Sequence, residues 1–204
     1  MAMKSGSKEF PGFSEIFSVQ EPGGSRAFRA EFACSVDDDF AVTRAEIEPG
    51  RAQVRWTMGG KSPSDVVCTT SVAPVIVSDR IIDLCKRLEF TGWTTYPVEL
   101  AGKDGVPIPG YQGVAVSGRC GAIDNERSVM FDKAYPGGVF PCWRGLYFDP
   151  ATWDGSDVFI PGRKGAAIFV TNRVRRAMIR AKVRNVRFTA LDQCERPLLY
   201  PMGD

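Results

Sequence analysis

Val75-Ile76-Val77-Ser78-Asp79-Arg80-Ile81 is answered ninety-three residues later by Ile168-Phe169-Val170-Thr171-Asn172-Arg173-Val174. The correspondence continues without a gap through Leu84/Ala177, Cys85/Met178, Leu88/Ala181, Phe90/Val183, Gly92/Asn185, Trp93/Val186 and Val98/Leu191. Upstream, Ser64-Asp65-Val66-Val67 pairs with Ser156-Asp157-Val158-Phe159 after a one-residue shift. Repetition at one spacing points to a repeated supersecondary unit, which narrows the architecture before any residue is given a role. Each unit reads strand, helix, strand. Val75 to Val77 is short and β-branched, as buried strands are. Ser78 and Thr171 stand at the helix N-cap, where a side-chain oxygen accepts from a free helix N–H. Ile81, Leu84, Cys85 and Leu88 keep helical spacing in the first unit, and Val174, Ala177, Met178 and Ala181 in the second. Gly92 and Asn185 fall where a left-handed C-terminal residue is wanted, and Trp93 to Leu100 and Val186 to Leu191 return as strands.

Outside the units the signals are shorter. Residues 1–25, rich in Gly, Ser, Pro and charge, read as a partly ordered arm that Phe10, Phe13, Ile16 and Phe17 dock on the body. In a β-rich segment over 26–63, Phe28, Ala30, Phe32 and Cys34 alternate as one side of a half-buried strand. Asp37-Asp38-Asp39 reads as a turn or strand-end loop, and Ala52 to Trp56 as a short strand. Gly60-Lys61-Ser62 looks like the end of a phosphate-binding loop, but the first glycine of that motif falls at Arg55 and Pro63 follows at once, so it reads as a turn. Tyr111 to Ser117, Ser128 to Phe131 and Gly145 to Asp149 are further strands, and 196–204 an extended tail. With repeat-containing halves at 64–140 and 141–195, the expected class is α+β: internally duplicated strand-helix-strand units with mixed or antiparallel sheet, in one domain.

Composition removes several functions. The chain has no histidine. That excludes a Ser-His-Asp triad, a Cys-His dyad and His-ligated catalytic zinc. Its six cysteines form no C-x-x-C pair, and their scattered placement suits reduced thiols, several of them small core hydrophobes. Residues 1–18 lack the apolar run of a secretory signal, and no stretch has the length of a membrane span. A cytoplasmic location with no membrane contact is expected, and no catalytic residue, metal or cofactor is assigned.

Two residue sets stand out. Arg80 and Arg173 occupy equivalent first-turn positions, and a cation there opposes the helix dipole. Each is expected to pair with the aspartate of its own unit, Asp65 or Asp157, as scaffold. The second set separates the copies: from Val158 to Leu191 there are nine cations and no acid. Arg173, Arg175, Arg176, Arg180, Lys182 and Arg184 make much of the second helix basic, which suits docking to an acidic protein or a nucleic acid. The first unit is near neutral, the net charge is only +2, and no aromatics interleave the basic run, which weakens the nucleic-acid reading. Asp154 with Asp157, and Cys142 beside Arg144, are the remaining places where carboxylate or thiol chemistry is conceivable. The first has the residues of an ordinary turn, and the second lacks a resolving cysteine.

Two stretches carry a family resemblance: Val75 to Arg80 through Thr91-Gly92-Trp93 and Tyr96-Pro97-Val98-Glu99, then Trp153 to Phe159 through Val170-Thr171-Asn172-Arg173 and Asn185-Val186. Together they resemble a bacterial family associated with polymorphic-toxin immunity, which includes the double-CXXCG motif proteins. The CXXCG pairs of that subgroup are absent here, so no metal site carries over. The resemblance implies a non-enzymatic protein that binds and neutralises a cognate toxin. A nucleic-acid-binding module using Arg173 to Arg187, and a carboxylate- or cysteine-based enzyme, are the competing expectations. The oligomeric state is left open.

Overall fold

Val66-Val67 and Ile76-Val77 have no polar side, so strands built from them need apolar cover on both faces. The computed structural model, which describes residues 9–22, 27–32, 36–69, 75–162 and 167–197, provides it with two sheets. The first closes into a barrel. Its strands are β2 (Arg29–Phe32), β3 (Ala52–Met58), β4 (Val66–Thr69), β5 (Val75–Ser78), β6 (Trp93–Ala101) and β7 (Tyr111–Val116), in the order β2-β3-β6-β7-β5-β4. The second is open, in the order β13-β1-β12-β11-β8. It joins β1 (Ile16–Gln20), β8 (Gly118–Cys120), β11 (Val158–Pro161), β12 (Phe169–Thr171) and β13 (Arg187–Ala190). A small third sheet is formed by β9 (Val129–Tyr135), β10 (Gly138–Arg144) and β14 (Glu195–Pro197). The helices are α1 (Val36–Thr43), α2 (Asp79–Arg87) and α3 (Asn172–Arg180). The protein is therefore mostly β, with mixed and antiparallel sheets, and has less helix than the expected α+β class carries.

The registers of the two larger sheets run in step. Val66 faces Val77 in the barrel and Val158 faces Val170 in the open sheet, both antiparallel. β7 lies between β5 and β6, with Ser78 opposite Tyr111 and Thr95 opposite Val114. β1 lies between β12 and β13 in the same way, with Thr171 opposite Ile16 and Phe188 opposite Val19. β2 runs parallel to β4, and β8 parallel to β11. Ile16 to Gln20, which the sequence places in an arm, thus forms an inner strand of a sheet whose other strands lie about a hundred residues or more along the chain.

Alternation along these strands feeds three cores. Val66, Val77, Ile81, Cys85, Phe90, Val158, Val170 and Val174 pack between the two sheets with α2 and α3. Val67 and Ile76 turn the other way, into the barrel, against Phe28, Ala30, Val54 and Leu100. Phe159 and Phe169 turn to the far side of the open sheet, where they meet Phe148 at ring-centroid distances of 6.0 and 6.4 Å. Phe10 and Phe13 cover that aromatic cluster, with ring centroids 5.5 and 5.2 Å from Phe148.

Four expectations change. Asp37-Asp38-Asp39 lies in α1 and not in a turn; acidic residues suit a first helical turn, where they meet the positive end of the dipole. Gly145 to Asp149 is not a strand, the strand being β10 just before it. Its backbone bonds instead to the chain end, Gly145 N–H to the Cys194 carbonyl and Leu146 N–H to that of Leu191, both 2.8 Å. Ser78 and Thr171 do stand at the helix N-caps, but neither hydroxyl caps the helix. Finally, the left-handed residues that end α2 and α3 are Glu89 and Lys182, each at φ 52°. They sit in Schellman turns closed by Phe90 N–H to Cys85 O and Val183 N–H to Met178 O. Gly92 (φ 85°) and Asn185 (φ 63°) are also left-handed, but three residues later, where the chain enters the next strand.

Candidate functional site

The hydroxyls of Ser78 and Thr171 leave the helix ends free because a buried carboxylate competes for them. Ser78 Oγ donates to Asp65 Oδ1 (3.4 Å) and Thr171 Oγ1 to Asp157 Oδ1 (3.2 Å). Arg80 grips Asp65 with two nitrogens, Nε to Oδ1 at 3.2 Å and Nη2 to Oδ2 at 2.7 Å. Arg173 Nη1 reaches Asp157 Oδ2 at 3.1 Å. The other donors come from the opposite half of the chain. Arg184 N–H donates to Asp65 Oδ2 (2.8 Å), and Thr91 N–H donates to Asp157 Oδ2 (3.2 Å). Burial works to raise the Asp65 pKa, but the Arg80 hydrogen bond, the Arg184 N–H and both guanidinium charges outweigh it and hold the carboxyl below its usual value.

The same arginines resolve the dipole conflict. Arg80 Nη1 donates to the Ala181 carbonyl at the end of α3 (2.8 Å), and Arg173 Nη2 donates to the Leu88 carbonyl at the end of α2. Each cation that opposes its own helix dipole therefore satisfies the C-terminal end of the other helix, where positive charge is favoured. The two helices lie side by side and antiparallel, tied at both ends.

The six cations singled out from the sequence divide into two groups. Arg173 is held by Asp157 and Leu88 and lies 4.9 Å over the Phe90 ring. Arg175 lies 4.5 Å over the Phe17 ring and donates to Asn172. Arg184 approaches Asp65 through Nε at 3.7 Å. Arg176, Arg180 and Lys182 are exposed, and none makes an ion pair with another described residue. Arg176 and Arg180, with Arg173, rim a cleft of about 360 Å³ whose floor is Leu88, Phe90 and Ala177. That is a mixed slot, in which three cations and Asn172 stand beside apolar side chains.

The other candidate residues are used locally. Asp154 accepts from Arg119 N–H (2.7 Å) and Ser156 N–H (2.9 Å), so it ties a turn to β8. Cys142 is fully buried, 3.5 Å from the Tyr135 hydroxyl. The described cysteines Cys68, Cys85, Cys120, Cys142 and Cys194 are free thiols, and Cys34 lies outside the described residues. So do Arg163 and Lys164 of the basic run. Among the described residues no helix is long and apolar enough to cross a membrane, and no cluster of three or more acidic or sulfur side chains is placed to hold a metal.

Sequence reasoning placed a strand at Ser128 to Phe131 but missed β10, its partner in the ribbon, and the exposure of the large apolar side chains Val129, Met130, Tyr135, Val139 and Phe140. The signal was a Tyr-Pro-Gly-Gly turn between apolar runs, and such runs look like buried strands until their neighbours are known.

These features describe a protein whose buried charges serve its scaffold and whose unpaired cations and apolar side chains face outward, as in a protein-binding module. The family comparison is specific: the model of the immunity protein family (Imm11) matches residues 51–193, well over half of the chain, and the chain belongs to that family. Comparison with curated proteins gives no match.

Proposed function

We propose that this chain neutralises a cognate bacterial toxin by binding it in the cytoplasm, without chemistry of its own, and that the exposed basic face of α3 is a contact surface. Membership of the immunity protein family supports toxin neutralisation in general. The observation that supports α3 is the cleft rimmed by Arg176 and Arg180: both cations are spare, while Arg173, Arg175 and Arg184 are engaged with the fold. A partner segment carrying carboxylates beside an apolar side chain would complement both the rim and the floor.

The same proposal includes internal duplication, supported by the matched registers of β4-β5-β7-β6 and β11-β12-β1-β13 and by the reciprocal Asp65–Arg184 and Asp157–Thr91 bonds. On that reading β1 fills, from the front of the chain, the place β7 fills in the first copy.

The test is co-expression with the toxin encoded beside this gene, together with binding measured against salt. Wild type should rescue growth, and Arg176→Glu/Arg180→Glu should weaken binding by roughly 10- to 100-fold, mostly in the association rate at low salt. No rescue and no binding by wild type would end the immunity reading. Unchanged binding by the double variant would remove α3 alone.

A further inference from the structure

Five of the nine large hydrophobic side chains exposed among the described residues lie on one ribbon: Val129 (60% exposed), Met130 (60%), Tyr135 (39%), Val139 (65%) and Phe140 (42%). From Val129 to Pro141 no residue is buried. The pairings Phe140 with Lys133 and Cys142 with Phe131 put Val129, Tyr135 and Phe140 on one face, and Met130 and Val139 on the other. β10 is flanked by β9 and β14, and among the described residues no strand pairs with the outer edge of β9.

The cations of the ribbon are already used. Lys133 and Arg144 both bind Glu195, at 2.6 and 3.1 Å. Arg144 also lies 4.4 Å over the Phe131 ring and Lys133 lies 5.5 Å over Tyr135, which meets Phe140 edge-on at 6.1 Å. These contacts stiffen the ribbon in advance of binding, which lowers the ordering cost. They also leave its tip, from Ala134 to Phe140, without an unpaired charge.

We propose, resting on the immunity reading above, that this tip inserts into an uncharged apolar cleft of the cognate toxin and is gripped on both faces. Charge separates the two surfaces: an acidic partner region is complemented by α3, whereas the ribbon, its cations satisfied by Glu195, complements a neutral one. Apolar side chains on both faces call for a cleft, since a flat partner covers only one. A second copy paired along the β9 edge would leave Val139 and Phe140, on β10, bare. A bilayer would find no spare cation at the tip for its headgroups and would meet exposed Asp132 just behind it.

The test is Val139→Asp/Phe140→Asp in the full chain, with binding to the catalytically inactivated neighbouring toxin measured by interferometry. Both positions are exposed, so the melting temperature should stay within about 2 °C of wild type. Affinity should fall at least about 30-fold, and the loss should persist at high salt, where that of Arg176→Glu/Arg180→Glu is screened. If wild type does not bind, the immunity reading itself fails. If wild type binds and the double variant is within about 3-fold of it, the ribbon proposal alone is overturned. A wild-type dimer that the variant dissociates, or wild-type binding to phosphatidylserine vesicles that the variant loses, also overturns it.

Discussion

Asp65→Asn isolates what the buried carboxylate does. Asp65 accepts from Ser78 Oγ, from two nitrogens of Arg80 and from Arg184 N–H. Asparagine keeps the shape but has one acceptor oxygen. If that oxygen faces Arg80 Nε and Ser78, the new amide hydrogens meet Arg80 Nη2 and the Arg184 N–H, donor against donor. One charge-assisted hydrogen bond contributes roughly 1.5–3 kcal/mol, and breaking a buried ion pair costs roughly 3–5 kcal/mol. Arg80 is 54% exposed, so its freed guanidinium returns to water and the cost falls to the lower end. We expect a loss of about 2–3 kcal/mol, which for a chain of this length is about 4–12 °C in Tm. Thermal unfolding at pH 7 measures it. Hydrogen exchange at Arg184 should accelerate in the variant, because that amide bonds to Asp65 across the two halves. A Tm loss under about 2 °C, or unchanged exchange at Arg184, would refute the account.

The same substitution carries a pH signature. The Asp65 carboxyl sits below its usual pKa in the folded protein, so the native state binds fewer protons than the unfolded state around pH 4. Its contribution is complete above the unfolded value of about 3.9 and is lost as pH falls through the folded pKa. The Tm gap between wild type and Asp65→Asn should therefore hold steady from pH 7 to about 5 and narrow below about 4. A gap that persists unchanged into the acid limb would contradict the assigned direction.

Two further outcomes are expected. Gly92→Ala places a Cβ 2.1 Å from the Val158 carbonyl oxygen at φ 85°, adding a clash to the roughly 1–2 kcal/mol that a left-handed backbone costs an L-residue. Asn185→Gly keeps the backbone easy and forfeits only the Nδ2 bond to Val66 O (2.8 Å), about 1 kcal/mol or some 2–4 °C; a reversal of that order in melting experiments would show that the two positions are not used alike. Burial pushes the thiols of Cys85 and Cys194 up to about 11 and that of Cys120 to about 12, so a disulfide reagent at pH 8 should label them only as fast as the protein opens. Peptide mapping that finds Cys85 labelled within seconds in native buffer would count against this placement.

The repeated spacing carried the helices and their flanking strands because hydrophobic periodicity is written in neighbouring residues. It also put Arg80 near Asp65 and Arg173 near Asp157. What it could not carry were choices settled by distant atoms. Ser78 looks like a cap, yet its hydroxyl bonds to a carboxylate thirteen residues upstream. Glu89 and Lys182 have no intrinsic preference for φ 52°; burying Phe90 and bringing Val183 back onto the core imposes it. β1 was visible only as Ile16-Phe17 among polar residues, because its strand partners begin at Phe169. The ribbon was harder still. Val129-Met130-Phe131 has the composition of a core strand, and exposure of both its faces depends on what fails to pack against it.

Where the two halves differ is more informative than where they agree. The matched elements, the registers and the crossed carboxylate anchors, all bury charge or apolar surface and so lower the free energy of the fold. None of them needs an outside partner. The unmatched elements fall into two kinds. β3 closes the first sheet into a barrel and is consumed by that closure. The α3 cations and the β9–β10 ribbon, which lies between the two repeated units, leave cations without counter-ions among the described residues and apolar side chains without cover. An exposed apolar ribbon and a cleft rimmed by spare arginines both carry a free-energy cost in isolation, through unburied apolar area and like-charge repulsion. A chain whose scaffold saturates the Asp65 and Asp157 carboxylates this thoroughly leaves such costs standing where a partner relieves them. The two surfaces differ in chemistry, so they should respond to different perturbations: salt for α3, and apolar-to-acid substitution for the ribbon. If one bound toxin relieves both, the two double variants should lower affinity independently and their effects should add, because no residue is shared between the sites.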